Sequence, residues 1–154
     1  MIRRLLLALI GLVAVGVVGF SLFIRFAPLD PSRWHVEIAT SDPPAAGTCA
    51  ANLTLLLNGA RSTCLLPATP TEILIKLNTI ALATPRTTRL AGTPEAGRVS
   101  WVTRSNLIGY PDIITAQVTT TATGTRLDIF SRQVYGSGDW GVNAARLKTW
   151  LPRL

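Results

Sequence analysis

The chain has 154 residues, a formal charge of +7, two cysteines (Cys49 and Cys64) and one histidine, His35. Two thiols and one imidazole without metal-ligand spacing argue against a zinc site, and no metal or cofactor is expected. Arg3, Arg4 and Arg25 carry three of the positive charges, leaving twelve basic and eight acidic residues. That modest excess predicts a solvated surface, and nucleic acid is not expected as the partner of a domain outside the cytoplasm.

Leu5 to Ile24 is a run of twenty residues with no charge and one polar residue, Ser21. At about 1.5 Å per residue, a helix of that length matches the ~30 Å hydrocarbon core of a bilayer. The run is longer than the roughly 7–15 apolar residues of a signal peptide, and a cut after Ala27 would put Arg25 where a small residue is required. Residues 1–25 are therefore expected to be an uncleaved membrane anchor. Arg3, Arg4 and the terminal amine, set against Arg25 and Arg33, bias the N-terminus slightly toward the cytoplasm. The expected location is the inner (cytoplasmic) membrane, crossed once, with the C-terminal domain outside the cytoplasm.

Residues 26–65 read as a tether carrying a possible hairpin. The stretch from Phe26 to Gly47 is rich in proline and polar residues, Trp34 suits the headgroup level, and His35 reads as an ordinary tether residue. Leu53–Leu57 and Ala60–Leu66 flank Asn58-Gly59, a pair suited to a type I′ turn. Cys49 and Cys64 can form a disulfide in an oxidising compartment, where closing the loop would contribute about 3 kcal/mol, or remain buried thiols.

Residues 66–154 read as an α+β domain. Thr69-Pro70-Thr71-Glu72 is a capping box with proline at the first helical position, and Ile73, Leu77, Ile80 and Ala81 follow at helical spacing until Pro85. Four strand-like segments come next: Thr87–Ala91, Val99–Arg104, Ile113–Thr119 and Thr125–Arg132. Setting Val118 opposite Leu127, Ala116 opposite Ile129 and Ile114 opposite Ser131 puts these residues on one face. A one-residue slip would bury Gln117 or Asp128 there instead. Leu90, Val99 and Trp101 then point inward, while Arg89, Arg98, Arg104, Arg126, Asp128 and Arg132 point outward. A last helix is expected from about Asp139 to Leu151, capped by Asp139, with Trp140, Ala144, Leu147 and Leu151 as its stripe. The predicted architecture is a four-stranded antiparallel meander with both helices packed on one face.

The densest polar cluster runs from Asp128 to Arg146, where a strand ends in Ser131-Arg132, crosses a glycine-rich turn and enters a helix carrying Asn143 and Arg146. A helix N-terminus flanked by glycines offers free N–H groups to an oxyanion, with Arg132 and Arg146 supplying charge. Asp139 would occupy that same helix end, and mutual bonding of these side chains is the competing structural reading. The candidate ligand-binding residues are Ser131, Arg132, Asp139, Asn143, Arg146, Asp112 and Tyr110. No catalytic set is assigned.

These residues resemble a bacterial family known as domain of unknown function 1499 (DUF 1499), whose closing pattern is similar to Ser-Arg-x-x-x-Gly-x-x-Asp-x-Gly-x-Asn-x-x-Arg. Ser131, Arg132, Gly136, Asp139, Gly141, Asn143 and Arg146 match it one by one. Pro85–Thr88, Arg104–Asp112 and Arg25–Pro28 match further, so the similarity covers most of residues 66–151. Trp140 stands where the family more often has leucine, and Ala145 where it often has a basic residue. Cys49 and Cys64 match nothing in the pattern, so the resemblance adds nothing to the case for a disulfide. It implies membrane anchoring in some members and no established activity.

Three functional readings follow. The leading one is a non-catalytic envelope module that binds a protein partner or an anionic ligand. The second is a hydrolase or transferase built on Ser131, Arg132 and Asp139, with Asp112 as a further carboxylate. It lacks the base that serine chemistry needs. The third is contact with anionic lipid headgroups through the outward arginines, at about 1 kcal/mol per residue.

Overall fold

The computed structural model describes residues 1–39 and 48–154. Residues 40–47, the latter part of the expected tether, lie outside the described residues.

Helix α1 runs from Ile2 to Phe26 and is long and apolar enough to cross a membrane. The domain leaves its apolar side chains uncovered until Ile24, which is buried. Its last turns dock on the loop Ser105–Tyr110. Arg25 Nη2 donates to the carbonyls of Asn106 (3.1 Å) and Leu107 (2.9 Å), Ser21 Oγ donates to Ile108 O (3.2 Å), and Phe20 meets Tyr110 edge-on at 6.4 Å.

Among the described residues six strands form one antiparallel sheet, where the sequence predicted four. They are β1 (Leu53–Leu56), β2 (Gly59–Leu66), β3 (Thr87–Thr93), β4 (Arg98–Arg104), β5 (Pro111–Thr121) and β6 (Gly124–Gln133), in the order β1-β2-β6-β5-β4-β3. The extra two strands are the hairpin expected in the tether. β2 pairs along its whole length with β6, from Gly59↔Arg132 to Leu66↔Thr125. The hairpin turn is Leu57-Asn58 rather than Asn58-Gly59, and Gly59 has no positive φ. Glycine is needed at 59 for a different reason: a Cβ there would collide with the carbonyl oxygen of Ser131.

The β5–β6 register is the expected one, with Val118↔Leu127, Ala116↔Ile129 and Ile114↔Ser131. Val99 and Trp101 are fully buried as predicted, but Leu90 is only half-buried. It falls where the β3–β4 register shifts between Arg89 and Ala91, so it sits in a bulge with no partner across the ladder.

One face of the sheet carries the core. Helix α3 (Pro70–Ala83) has the complete capping box of Thr69 and Glu72, and buries Ile73, Leu74, Leu77, Ile80 and Ala81. Helix α4 (Val142–Trp150) lies beside it and buries Asn143, Ala144, Leu147 and Trp150. The indole of Trp150 meets that of Trp101 edge-on at 6.1 Å, and each indole N–H has an acceptor: Thr84 Oγ1 (3.0 Å) for Trp150 and Asn78 Oδ1 (3.1 Å) for Trp101. Cys49 and Cys64, both buried, are joined by a disulfide that ties the segment before β1 to β2.

The other face is covered by the segment that follows α1. A single helical turn, α2 (Pro31–Trp34), opens with Asp30 accepting from Ser32 N, and the chain then crosses the outer face. Trp34 is therefore not free for the headgroup level. Its carbonyl accepts from Arg132 Nη2 (3.1 Å), and the Arg132 guanidinium lies between the rings of Trp34 (5.3 Å) and Phe130 (4.9 Å). His35 is equally tied down, with Nδ1 2.9 Å from Ser100 Oγ, and Ile38 N donates to Gln117 Oε1. Val102 and Ile113 of this outer face are buried, as a covered face requires.

Candidate functional site

The closing motif is built where β6 meets α4. Ser131 lies near the end of β6 on its core-facing side, and the strand's alternation turns its side chain toward α4. Asn143 and Arg146 lie three residues apart on α4 and therefore on one side of it. Ser131 Oγ donates to Asn143 Oδ1 at 2.5 Å, and Arg146 Nη1 donates to both Ser131 Oγ (3.0 Å) and Asn143 Oδ1 (2.6 Å). Arg146 Nη2 closes the network on Asp112 Oδ2 of the neighbouring strand β5 at 2.7 Å, with the two side chains 9% and 15% exposed. Ser131 and Asn143 have no exposure at all.

Asp139 caps α4, but from two residues before its N-cap. Its carboxylate accepts from Gly141 N and Asn143 N, each at 3.0 Å. Gly141, at φ 79°, takes the N-cap position, so the helix starts at Val142 rather than Asp139. The expected stripe shifts accordingly. Ala144, Leu147 and Leu151 are buried, Trp150 joins them, and Trp140 is left in the turn at φ 54° and 98% exposed.

The electrostatics follow from this packing. Burial raises the Asp112 carboxyl above its ordinary value, with the Arg146 guanidinium only partly offsetting the loss of solvation. Burial would raise Asp139 as well, but the Asn143 side chain and the backbone amides of Gly141 and Asn143 outweigh it and hold the carboxyl below its usual range. The free N–H groups that could have attracted an oxyanion are thus already bound to an anion belonging to the chain.

Of the seven candidate residues, Ser131, Asn143, Arg146 and Asp112 come together in one network, and Asp139 abuts it through the backbone of Asn143. Arg132 does not join them. Its neighbour Ser131 faces the core, so Arg132 faces the opposite side, under the Trp34 strap. Tyr110 lies outside the network, half-exposed, in the loop that receives α1. The outward arginines are likewise committed. Arg126 is paired with Asp128 (2.8 and 3.0 Å), Arg104 donates to the carbonyls of Ile24, Ala27 and Gly109, and Arg98 donates to Gln117. Arg89 is not outward as expected: it stands opposite Trp101 on the helix side of the sheet, because the β3 bulge reverses the alternation there, and it donates to Asn78 of α3. Among the described residues no group of three or more His, Cys, Asp or Glu side chains converges to hold a metal.

Sequence reasoning missed a groove of about 510 Å³ beside the network. Phe20 and Ile24 of α1 form one wall, Tyr110 and Pro111 another, and Tyr135, Trp140 and Val142 the third, with Asp112, Gln133 and Asp139 contributing polar atoms. The signal for its far wall was already in the motif, since Tyr135 and Trp140 are large side chains in a glycine-rich turn. Nothing local marks Phe20 and Ile24 within the apolar run.

The family profile described as "Protein of unknown function (DUF1499)" matches residues 40–154. The chain belongs to this family. The match takes in the whole sheet, both core helices and every residue of the buried network, while α1 and the Trp34 strap precede it. A comparison with curated proteins gives no match.

Proposed function

We propose that the chain is a single-pass membrane protein whose DUF1499 domain, held outside the cytoplasm, is a non-catalytic binding module. Its ligand surface is the groove between α1 and the closing turn. The observation that carries this reading is the condition of Ser131. Its hydroxyl hydrogen is committed to Asn143, its oxygen accepts from Arg146, and its surface is sealed from solvent. A nucleophile needs an adjacent base and an approach for substrate. The one histidine instead bonds Ser100 on the opposite face of the sheet. Ser131 Oγ, Asn143 Oδ1, Arg146 and Asp112 bond one another, with Asn143 Nδ2 the buried atom left unpartnered, whereas the groove beside them is open and of a size that suits small ligands.

The Cys49–Cys64 disulfide favours an oxidising compartment, in line with the slight charge bias of α1. Two measurements test the reading. In cells, an alkaline phosphatase fusion after Leu154 should be active and Cys49 and Cys64 should resist alkylation until reduced. An inactive fusion with both thiols free would overturn the topology. The purified full chain should not be labelled by a fluorophosphonate serine probe. Labelling that disappears in Ser131→Ala would show a working nucleophile and end the non-catalytic reading.

A further inference from the structure

We infer that the groove takes the acyl chain of a membrane amphiphile, with a hydrogen-bonding head seated beside Gln133 and Asp112. This deepens the reading above and rests on it, because it requires α1 to be in a bilayer.

The first support is continuity. Phe20 and Ile24 belong to the helix that fits the hydrocarbon core, and the same two side chains wall the groove. Tyr110, Tyr135 and Val142 line the same groove, so an apolar chain following α1 out of the bilayer meets an apolar surface there. Ligands in such sites bury most of their surface against apolar and aromatic walls, with a few polar groups fixing the orientation.

The polar end of the groove is the second support. Gln133 lines the groove and its Nε2 is buried without a hydrogen-bond partner, so a rotation of the amide brings an unused donor to the groove wall. Gly136, at φ 99°, keeps that amide uncrowded, since a Cβ there would come within 3.3 Å of Nε2. Across from it, Asp112 uses Oδ2 for Arg146. Among the described residues no Lys or Arg lines the groove, and its two carboxylates are already bound, Asp112 by Arg146 and Asp139 by backbone amides. The spot therefore offers an anionic head no cation and suits a hydroxyl or ammonium, which can donate to Asp112 while an ester or amide oxygen accepts from Gln133.

Trp140 supplies the third. A bulky residue at φ 54° is strained, and at 98% exposure it recovers nothing by packing within the domain. It lines the groove together with Phe20 and Ile24 of α1, and shares a second depression with Leu57, which is 79% exposed. Amphipathic rings in such a position belong at the interface between headgroups and water, where Trp and Tyr are enriched.

The test uses the full chain reconstituted in phosphatidylcholine vesicles containing a phosphatidylethanolamine with a diazirine in the middle of one acyl chain. After illumination and digestion, adducts are mapped by mass spectrometry. The expected result is labelling of Tyr110, Tyr135 or Val142 in addition to the span. In Val142→Phe, which fills the groove from an exposed position outside the buried network, groove labelling should fall about tenfold, the equivalent of displacing two methylenes of chain. Labelling at Leu12 and Val15 should be unchanged. Val142→Asp, which puts a charge at the same point, should give the same loss and guards against a repacked phenylalanine. Adducts confined to Leu5–Gly19 would overturn the inference and leave the anchored binding module standing. Absence of adducts along the whole of α1 would overturn both, because the helix would then not be in the membrane.

Discussion

Replacing Asn143 by alanine separates a structural network from a catalytic one. Asn143 Oδ1 accepts two hydrogen bonds, a neutral one from Ser131 and a charge-assisted one from Arg146, in a place with no solvent. Alanine removes both. Arg146 keeps its bonds to Asp112 and to Ser131 Oγ, but the Ser131 hydroxyl loses its acceptor. A neutral bond is worth about 1 kcal/mol, a bond to a charged group about 2 and a stranded buried donor about 1 more, while losing the buried, unpartnered Asn143 Nδ2 returns up to about 1, so the variant should lose about 3–4 kcal/mol. For a domain of this size that is a fall in Tm of about 12–15 °C. Ser131→Ala removes a donor and leaves Asn143 Oδ1 bonded to Arg146, so it should cost only about 1 kcal/mol, or about 4 °C. The assay is thermal unfolding of the full chain in detergent, followed by near-UV circular dichroism from the buried Trp101–Trp150 pair. The order Asn143→Ala well below Ser131→Ala is the discriminating result. Equal losses, or an Asn143→Ala shift under about 4 °C, would refute the account of the motif as a structural clasp.

Four further outcomes are expected. Gly59→Val should destabilise the domain by at least about 2 kcal/mol, read in the same melt, because its Cβ meets the Ser131 carbonyl on the adjacent strand. Cys49→Ala/Cys64→Ala should cost about 3 kcal/mol in urea unfolding, since the bridge closes a short loop in the denatured chain. His35 has its pKa lowered, first by burial and then by Arg98, so the unfolded chain takes up its proton more readily than the folded one. Stability should therefore fall as pH drops below about 6.5 and level off beneath the folded value. His35→Gln should flatten that limb, while Asp112, with a raised pKa, acts in the opposite sense at lower pH. Trp140→Gly should raise the Tm by relieving the left-handed backbone, a gain of about 1 kcal/mol read in the same melt.

What could be read in the sequence was whatever local chemistry repeats. The capping box of α3 and its apolar spacing are local, and the β5–β6 register was decided because a slip would turn Gln117 or Asp128 toward the core. The β1–β2 hairpin was legible as a hairpin, yet its place in the sheet was not. Pairing with β6 joins residues about seventy positions apart, and β2 presents Ala60, Ser62 and Cys64 to the core rather than a clear apolar alternation. Ser62 can be buried there because its hydroxyl finds the Cys49 carbonyl, a partner no spacing rule announces. Proline-rich composition made residues 28–38 look like a loose tether. They are held instead by single hydrogen bonds with Arg132, Ser100 and Gln117, which lie on three different strands. The grouping of Arg132 with Ser131 was avoidable, because adjacent strand residues face opposite ways.

The length of the closing motif fits a clasp between the sheet and α4. Ser131 fixes a point on β6, Asp112 a point on β5, and Asn143 with Arg146 a line along α4, so together they set the helix's rotation and height over the sheet. Asp139 then determines where that helix begins, and the turn from Val134 to Gly141 must bridge what is left. Tyr135 and Trp140 are carried on that turn, and they reach the groove rim only if the clasp closes. A substitution in the clasp will therefore damage the groove without touching anything that enters it. Loss of function in Ser131→Ala is evidence for chemistry at Ser131 only when Trp140 still reports an intact rim, and a labelled amphiphile still found at Tyr135 in that variant would assign the loss to something other than placement.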